Sequence, residues 1–324
     1  MTPGATPRRD AGPGPGSALL RPGDRIAVVA PAGPAPLDDL ERGIAFLERR
    51  GYEVARGAHL SGRRAYLAGT DEERASDLNA AIRDRAVQLV WCARGGYGTP
   101  RLLDRVDTRA LRRDPKPLLG YSDETALQEV WRRAGAPILY GPHVVELADR
   151  RAWHARSLED ALLGRAITVP IGRRGVVREG RAQGPILGGC LSLLVGLAGT
   201  PWEPPLDGAI LFWEDLNEQP FRIDRMLTHL RNAGWLSRLA GMVVGRLPGG
   251  RALDPRLHRS VRDILLDRLE GTRYPVAFDL PAGHVPGKWT LPLGGPARLD
   301  TRAGRLTIAP ARAPVPAAAR FSAR

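Results

Sequence analysis

The chain has 324 residues, of which 43% are hydrophobic and 26% are charged, and its formal net charge is +13. These proportions exclude an intrinsically disordered protein and leave room for two domains. Only two of the 48 basic residues are lysines, Lys116 and Lys288, and the arginines are scattered among Asp and Glu rather than gathered into a stripe. We therefore expect a solvated basic surface and no nucleic-acid partner.

Cysteine usage and hydropathy bear on the cellular compartment. Cys92 and Cys190 are too few for a disulfide framework, and each adjoins an apolar run. No apolar run has the length needed to cross a bilayer, and residues 1–17 lack the apolar core of a signal peptide. We expect a cytoplasmic protein with no membrane partner and with disordered tails at 1–17 and 313–324.

The first half of the chain alternates short apolar runs with helical patterns. Strands are predicted at 25–30, 89–92 and 118–121, and helices at 37–49, 70–84 and 123–134. Thr70 and Glu73 are spaced as a capping box at the start of the second helix. This alternation predicts an N-terminal α/β domain over 18–164, with a parallel, flavodoxin-like sheet covered by helices. Active sites of such sheets lie at the carboxyl ends of the strands.

The pattern changes after residue 164. Residues 165–183 are polar and glycine-rich and are predicted to be a linker. A smaller, β-rich α/β domain is predicted over 184–312. Its strand at 209–213 is followed by Glu214, and an amphipathic helix follows with an apolar face formed by Ile223, Met226, Leu227 and Leu230.

Ser122 is the first candidate for chemistry, because it stands where the apolar run 118–121 stops and a helical pattern begins. A tight strand-to-helix turn exposes a serine hydroxyl, and the helix start offers free backbone N–H groups to a developing oxyanion. Glu124 stands where the second glycine of G-x-S-x-G would be, so that motif is absent. Ser122 as a simple helix N-cap is the alternative.

A nucleophilic serine needs a base, and His284 is the strongest candidate among six histidines. It lies in an irregular loop punctuated by Gly283 and two prolines. His143 follows a predicted strand and is either a substrate contact or a structural hydrogen-bonding group. The other four histidines are expected to be solvated; they are His59, His154, His229 and His258.

The base needs a carboxylate that orients its ring. Glu214 ends a predicted strand and can therefore point into a cleft at the sheet edge. Asp215 and Glu218 compete with it for this role. Glu214 as a cap of the following helix is an equal alternative.

Six motifs occur in one order along the chain. They are Gly-Asp-Arg-Ile-Ala-Val-Val-Ala-Pro-Ala-Gly at 23–33, Ala-Arg-Gly-Gly-Tyr-Gly at 93–98, Leu-Gly-Tyr-Ser-Asp at 119–123, Gly-Gly-Cys-Leu-Ser-Leu-Leu at 188–194, Trp-Glu-Asp-Leu-Asn-Glu at 213–218 with Ile-Asp-Arg-Met-Leu at 223–227, and Ala-Gly-His at 282–284 with Leu-Pro-Leu-Gly at 291–294. This order resembles the LD-carboxypeptidase family of serine peptidases, which also includes the microcin C immunity hydrolases. The likeness covers roughly residues 22–308.

The resemblance implies a serine carboxypeptidase that removes the terminal D-alanine from cytoplasmic murein tetrapeptides during peptidoglycan recycling. It implies a triad of Ser122, His284 and Glu214 in an active site between the two domains. It also implies an oxyanion hole formed by the backbone N–H groups of Gly96 and Asp123. Family members are commonly homodimers and use no cofactor, and this sequence has no H-E-x-x-H metal motif.

Substrate contacts are expected from three residues. An exopeptidase must bind a terminal carboxylate, for which Arg94 is the candidate. His143 and Cys190 are the other two. The family usually has Asn where Cys190 stands, and a thiol is a much weaker hydrogen-bonding group than an amide. This departure puts peptidoglycan specificity in doubt.

Two alternatives remain open at this stage. One is an immunity-type hydrolase of aminoacyl-nucleotide amides that uses the same triad, with Trp202 or Trp213 stacking on the base. The other is a non-catalytic ligand-binding protein, which would be favoured if Glu214 or His284 lay far from Ser122.

Overall fold

The computed structural model describes residues 18–250 and 259–311. The predicted disordered tails at 1–17 and 313–324, and His258, lie outside these residues. The described chain forms two β-sheets, one of six strands and one of eight, with helices packed against them. In this part of the chain, no helix combines the length and apolar character that crossing a membrane requires.

The first sheet has the strand order β12-β5-β4-β3-β1-β2. Its strands are β1 (Arg25–Val29), β2 (Glu53–Arg56), β3 (Val87–Cys92), β4 (Leu118–Gly120), β5 (Ile138–Tyr140) and β12 (Leu291–Leu293). The first five pair in parallel, and only β12 is antiparallel. The order 2-1-3-4-5 is that of flavodoxin-like sheets, so the predicted fold class is confirmed.

Helices connect and cover these strands. They are α1 (Leu37–Arg49), α2 (Asp71–Arg83), α3 (Thr108–Arg113), α4 (Thr125–Ala134) and α5 (Ala155–Leu162). The predicted capping box is confirmed, since the Thr70 hydroxyl accepts from the Glu73 N–H at 3.1 Å and Glu73 Oε2 accepts from the Thr70 N–H at 2.7 Å. The strand β3 is buried except at Gln88, as expected for a strand covered on both faces.

The second sheet has the order β6-β14-β13-β8-β9-β10-β11-β7. Its strands are β6 (Ile167–Pro170), β7 (Val176–Arg178), β8 (Arg181–Cys190), β9 (Ile210–Glu214), β10 (Gly241–Gly245), β11 (Val276–Leu280), β13 (Pro296–Asp300) and β14 (Arg305–Ile308). Three helices accompany it, namely α6 (Leu191–Leu197), α7 (Pro220–Asn232) and α8 (Val261–Arg268).

The two halves of the chain are more interleaved than the sequence predicts. The segment 165–183, predicted to be a linker, contains β6, β7 and the start of β8. Ile167 and Val169 are buried on alternate positions of β6, a signal only four residues long and therefore easily missed. In the other direction, β12 comes from the second half of the chain and completes the first sheet by pairing with β5.

The carboxyl ends of β4 and β9 lie close together, because the Tyr140 hydroxyl contacts both Ser122 and Glu214. Phe212 of β9 packs edge-on against Tyr140 of β5, with ring centroids 5.4 Å apart. The Cys190 N–H, at the end of β8, donates to the Thr125 hydroxyl at the start of α4 at 3.0 Å. These contacts hold the ends of the two sheets together at the position of the candidate site.

Candidate active site

Ser122 lies on a strained turn between β4 and α4. Its φ is +68°, in the left-handed region that residues other than glycine rarely occupy. A single turn of 3₁₀-helix over Ser122–Glu124 leads directly into α4. The Ser122 side chain caps neither helix, because the N-cap of the 3₁₀ turn is Tyr121 and that of α4 is Glu124. Strain of this kind is typical of functional turns that expose a nucleophile.

A hydrogen-bonded relay joins Ser122 to two distant residues. His284 Nε2 lies 2.9 Å from Ser122 Oγ, and His284 Nδ1 lies 2.8 Å from Glu214 Oε2. Because Nδ1 faces a carboxylate, Nδ1 carries the ring proton and Nε2 accepts from the serine hydroxyl. The structure therefore brings together the three residues that the sequence analysis assigned to the triad.

Glu214 is fully buried at the end of β9. The same oxygen that faces the histidine ring also accepts from the His284 backbone N–H at 3.1 Å. A Cβ atom at Gly283 would lie 2.2 Å from this oxygen, so the loop can approach Glu214 only with glycine at this position. The helix-cap alternative does not apply, because the N-cap of α7 is Gln219.

The two competing carboxylates have other partners. Asp215 accepts from the Ser192 and Leu216 N–H groups, each at 2.8 Å. Glu218 lies 3.9 Å from Arg222 in a partly exposed ion pair. In the part of the chain that the structure describes, neither carboxylate is hydrogen-bonded to the ring of His284.

Tyr140 is a site residue that the sequence analysis missed. Its hydroxyl donates to the other oxygen of Glu214 at 2.6 Å and accepts from the Ser122 N–H at 3.3 Å. Burial and the charge of Glu214 raise the pKa of Tyr140, so the hydroxyl keeps the proton that it donates. No local signal marks this residue, since it reads as the last apolar position of a strand.

The environment of His284 suits a base. Burial lowers the pKa of His284, but the hydrogen bond to Glu214 and the charges of Glu214, Asp215 and Glu146 outweigh burial and hold the pKa above its ordinary value. A histidine pKa near or above the usual range permits proton exchange at neutral pH. Among the described residues, no group of three or more His, Cys, Asp or Glu is arranged to hold a metal ion.

The loop at 94–98 lies directly over the nucleophile. A Cβ atom at Gly95 would lie 3.0 Å from Ser122 Cβ and 3.2 Å from Ser122 Oγ. The next residue, Gly96, has φ +121° and is exposed. Asp123 follows the nucleophile at the start of the helical segment, and its carboxylate accepts from the Thr99 N–H at 2.7 Å, which ties the turn to this loop.

The three predicted substrate contacts lie in different environments. Arg94 is exposed on the same loop, and one guanidinium nitrogen donates to the Pro34 carbonyl at 2.8 Å. His143 is buried beneath the nucleophile turn, with its ring stacked on Tyr121 and Nε2 lying 3.0 Å from Glu124 Oε2. Burial and these contacts favour the structural role for His143.

Cys190 is also buried, at the N-cap of α6. Burial raises the pKa of its thiol well above the ordinary value, so the group stays protonated. Its sulfur lies 3.3 Å from the Ser192 hydroxyl. A protonated, buried thiol is a poor nucleophile.

Both halves of the chain match models of a known protein family. The family model for the LD-carboxypeptidase N-terminal domain matches residues 26–141, and the model for the C-terminal domain matches residues 183–299. A Streptomyces coelicolor protein named "putative carboxypeptidase" is 40% identical over 299 residues, covering 90% of this chain and 95% of that protein. The murein tetrapeptide carboxypeptidase of Pseudomonas aeruginosa is 32% identical over 292 residues, covering 85% of this chain and 93% of that protein.

Solved structures show the same architecture. The muramoyltetrapeptide carboxypeptidase of Oxalobacter formigenes superposes with a TM-score of 0.80 at 32% identity, covering 90% of this chain and all of that one. The microcin immunity protein MccF, in complex with glutamyl sulfamoyl guanosine, superposes with a TM-score of 0.83. MccF is only 22% identical, over 93% of this chain and all of its own, so it shows likeness of fold alone.

Proposed function

This chain belongs to the LD-carboxypeptidase family of serine-type peptidases, and we propose that it cleaves the L,D bond to the terminal D-alanine of murein tetrapeptides. The observation that carries the proposal is the relay from Ser122 Oγ to His284 Nε2 at 2.9 Å and from His284 Nδ1 to Glu214 Oε2 at 2.8 Å. The names of the Pseudomonas and Oxalobacter relatives support a murein tetrapeptide as the substrate.

The proposed reaction begins with proton transfer. His284 Nε2 takes the Ser122 proton as Oγ attacks the carbonyl carbon of the residue before D-alanine. The imidazolium that forms is stabilised by the buried Glu214 carboxylate, which also holds the ring in one tautomer. His284 then gives its proton to the departing amine of D-alanine, leaving an acyl ester on Ser122. A water molecule, deprotonated by the same ring, hydrolyses that ester.

The tetrahedral oxyanion requires hydrogen-bond donors, and we assign them to the backbone N–H groups of Gly96 and Asp123. Two observations support this assignment, namely the close approach of the Gly95 backbone to Ser122 and the position of Asp123 at the start of a helical segment. Tyr140 already accepts from the Ser122 N–H, so that group is engaged elsewhere. Arg94, exposed on the same loop, is our candidate for the substrate's terminal carboxylate.

The peptide substrate is better supported than the nucleotide amide. Trp213 is fully buried, with its indole N–H directed to Met242 Sδ at 3.4 Å. Trp202 is partly buried under the Arg133 guanidinium, 4.8 Å from the ring centroid. Trp213 is therefore not free to stack on a base, and the Arg133 guanidinium covers one face of Trp202. Identity to the named tetrapeptide carboxypeptidases is also higher than identity to MccF.

We further propose the cytoplasm as the compartment, peptidoglycan recycling as the process and a homodimer as the assembly. These assignments rest on the family resemblance. Light scattering after size-exclusion chromatography tests the assembly, because a dimer has twice the 35.1 kDa of one chain. Elution at the mass of one chain at micromolar concentration would overturn the dimer.

The substrate is tested by mass spectrometry of the purified protein with the tetrapeptide L-Ala-D-Glu-diaminopimelate-D-Ala. We expect loss of D-alanine with the parent protein, and a fall of about 10⁴-fold or more in Ser122→Ala. Ser237→Ala is the matched control, because Ser237 is exposed and its hydroxyl donates only to the Gly234 carbonyl among the described contacts. No cleavage of the tetrapeptide, with cleavage of an aminoacyl sulfamoyl adenosine instead, would favour the nucleotide-amide hydrolase.

A further inference from the structure

A buried ion pair lies next to the triad and is not hydrogen-bonded to any of its three side chains. Lys288 Nζ donates to Glu146 Oε1 at 2.5 Å and to the Ala152 carbonyl at 3.2 Å. Lys288 is only 3% exposed, which is unusual for a lysine. It stands four residues after His284 on the same loop, so the pair anchors the segment that carries the base.

The other partner of this pair contacts the segment that carries the nucleophile. Glu146 Oε1 also accepts from the Tyr121 hydroxyl at 3.1 Å, and Tyr121 immediately precedes Ser122. Glu146 Oε2 accepts from the His143 backbone N–H at 2.9 Å. One carboxylate therefore receives hydrogen bonds from the nucleophile turn and from the histidine loop.

The ring of Tyr121 completes the contact between these two segments. It meets the His284 ring edge-on, with centroids 4.9 Å apart. Lys288 Nζ lies 5.0 Å from the centroid of the same ring. The Tyr121 ring therefore packs against the ring of the base. Both members of the ion pair contact Tyr121, Lys288 at the ring face and Glu146 at the hydroxyl.

We propose that Lys288 and Glu146 are positioning residues. Their ion pair holds the His284 loop against Tyr121 and thereby keeps His284 Nε2 within hydrogen-bond distance of Ser122 Oγ. The inference rests on the proposed triad, not on the identity of the substrate. Removing either partner leaves the other charge buried and unpaired, and we expect this to displace the loop despite its backbone hydrogen bonds to Arg151 and His154. Burial raises the pKa of Glu146, but His143 and Lys288 outweigh burial and leave the pKa below its ordinary value, so the carboxylate stays charged.

The test compares the two lysines of the chain. Lys288→Met removes the proposed anchor. Lys116→Met is the matched control, because Lys116 is 2% exposed and also ion-paired, to Asp114 Oδ2 at 2.5 Å. Lys116 also donates to the Val87 carbonyl at 2.9 Å, at the amino ends of β3 and β4 and therefore at the edge of the sheet opposite the site.

We expect Lys288→Met to lower kcat about 100-fold, as displacement of a catalytic group by about 1 Å does, while KM stays within about twofold. Glu146→Gln is expected to lower kcat in the same direction, and Lys288→Arg to restore part of it. Lys116→Met is expected to lower the melting temperature without lowering kcat. An equal loss of kcat in both lysine variants, or an unchanged kcat in a folded Lys288→Met protein, would overturn the proposal.

A second readout needs no substrate. We expect the proton between His284 Nδ1 and Glu214 Oε2, which lie 2.8 Å apart, to give a low-field NMR resonance that is absent in His284→Ala. We expect Lys288→Met and Glu146→Gln to broaden or remove this resonance, and Lys116→Met to keep it. Because this signal is independent of turnover, it separates failure of the proposed substrate from failure of the positioning role. A resonance that persists unchanged in both Lys288→Met and Glu146→Gln would overturn the role whatever the substrate is.

Discussion

Replacing Glu214 by glutamine removes one charge from the site and leaves the shape of the side chain almost unchanged. The Tyr140 hydroxyl and the His284 backbone N–H remain within reach of the amide. The change therefore removes the charge that faces the imidazole at 2.8 Å, together with one of the two oxygens that accept hydrogen bonds. We expect the variant to fold and to lose catalytic rate.

The size of the loss follows from the geometry. His284 is charged only during the reaction, so its attraction to Glu214 enters the activation barrier and not the ground state. Two unit charges about 4 Å apart attract by about 4 kcal/mol at an effective dielectric constant of about 20. Since each 1.36 kcal/mol is a factor of ten, kcat is expected to fall by about 10³-fold. An amide that turns its NH₂ toward Nδ1 also reverses the tautomer, which increases the loss.

The assay is the pH dependence of kcat/KM for release of D-alanine. His284 must be neutral to accept the serine proton, so kcat/KM of the parent rises as pH rises through the pKa of His284. Glu214 raises that pKa, against burial, which lowers it. In the glutamine variant the rise is therefore expected at lower pH.

The matched control is Glu129→Gln. Glu129 is a buried carboxylate on α4 whose ion pair with Arg132, at 2.7 Å, lies outside the relay. It is expected to change stability and leave the pH profile in place. A loss of less than tenfold in Glu214→Gln, or an acid limb at the pH of the parent, would refute the reasoning.

Two further predictions concern the residues beside the nucleophile. Burial raises the pKa of Asp123 from 3.8 to about 6, so its contribution to stability is full below pH 3.8 and is lost as pH rises through 6. As pH rises from 4 to 8, the unfolding free energy of Asp123→Asn is therefore expected to increase by up to about 3 kcal/mol relative to that of the parent. Urea unfolding at the two pH values measures this, and the same difference between variant and parent at pH 4 and at pH 8 would contradict it. In Gly95→Ala the new Cβ lies 3.0 Å from Ser122 Cβ, so kcat is expected to fall more than about tenfold. In the control Gly172→Ala the new Cβ has no neighbour within 4 Å, so kcat is expected to stay unchanged. Equal kcat values in the two variants would contradict the close approach of Gly95 to Ser122.

Much of the fold is predictable because its signals are local. The strand β3 is a continuous apolar run that is buried on both faces, and α2 begins with a capping box in which both hydrogen bonds form. The strands β6 and β7 are four and three residues long, and arginines surround them, so no period can be read there. Short strands of this kind are specified by their neighbours in the sheet rather than by their own sequence.

The site is predictable to the extent that its residues stand in motifs. Ser122 and Glu214 each follow an apolar run, and His284 lies in a rigid loop, so motif order pointed to all three. The role of Tyr140 could not be predicted from the sequence, because its hydrogen-bond partner Glu214 lies 74 positions away. Lys288 and Glu146 are separated by 142 positions, and neither has a local pattern that marks it. Tyr140 meets Glu214 only once the two sheets pack together, and Lys288 meets Glu146 only once β12 pairs with β5.

The most direct test of the account is to trap the acyl-enzyme. The protein is mixed with the tetrapeptide, quenched in acid within milliseconds, digested and analysed by mass spectrometry. We predict a tripeptide acyl adduct on the peptide that contains Ser122, together with released D-alanine, and neither in Ser122→Ala. Release of D-alanine by Ser122→Ala at the rate of the parent would contradict the claim that Ser122 is the nucleophile.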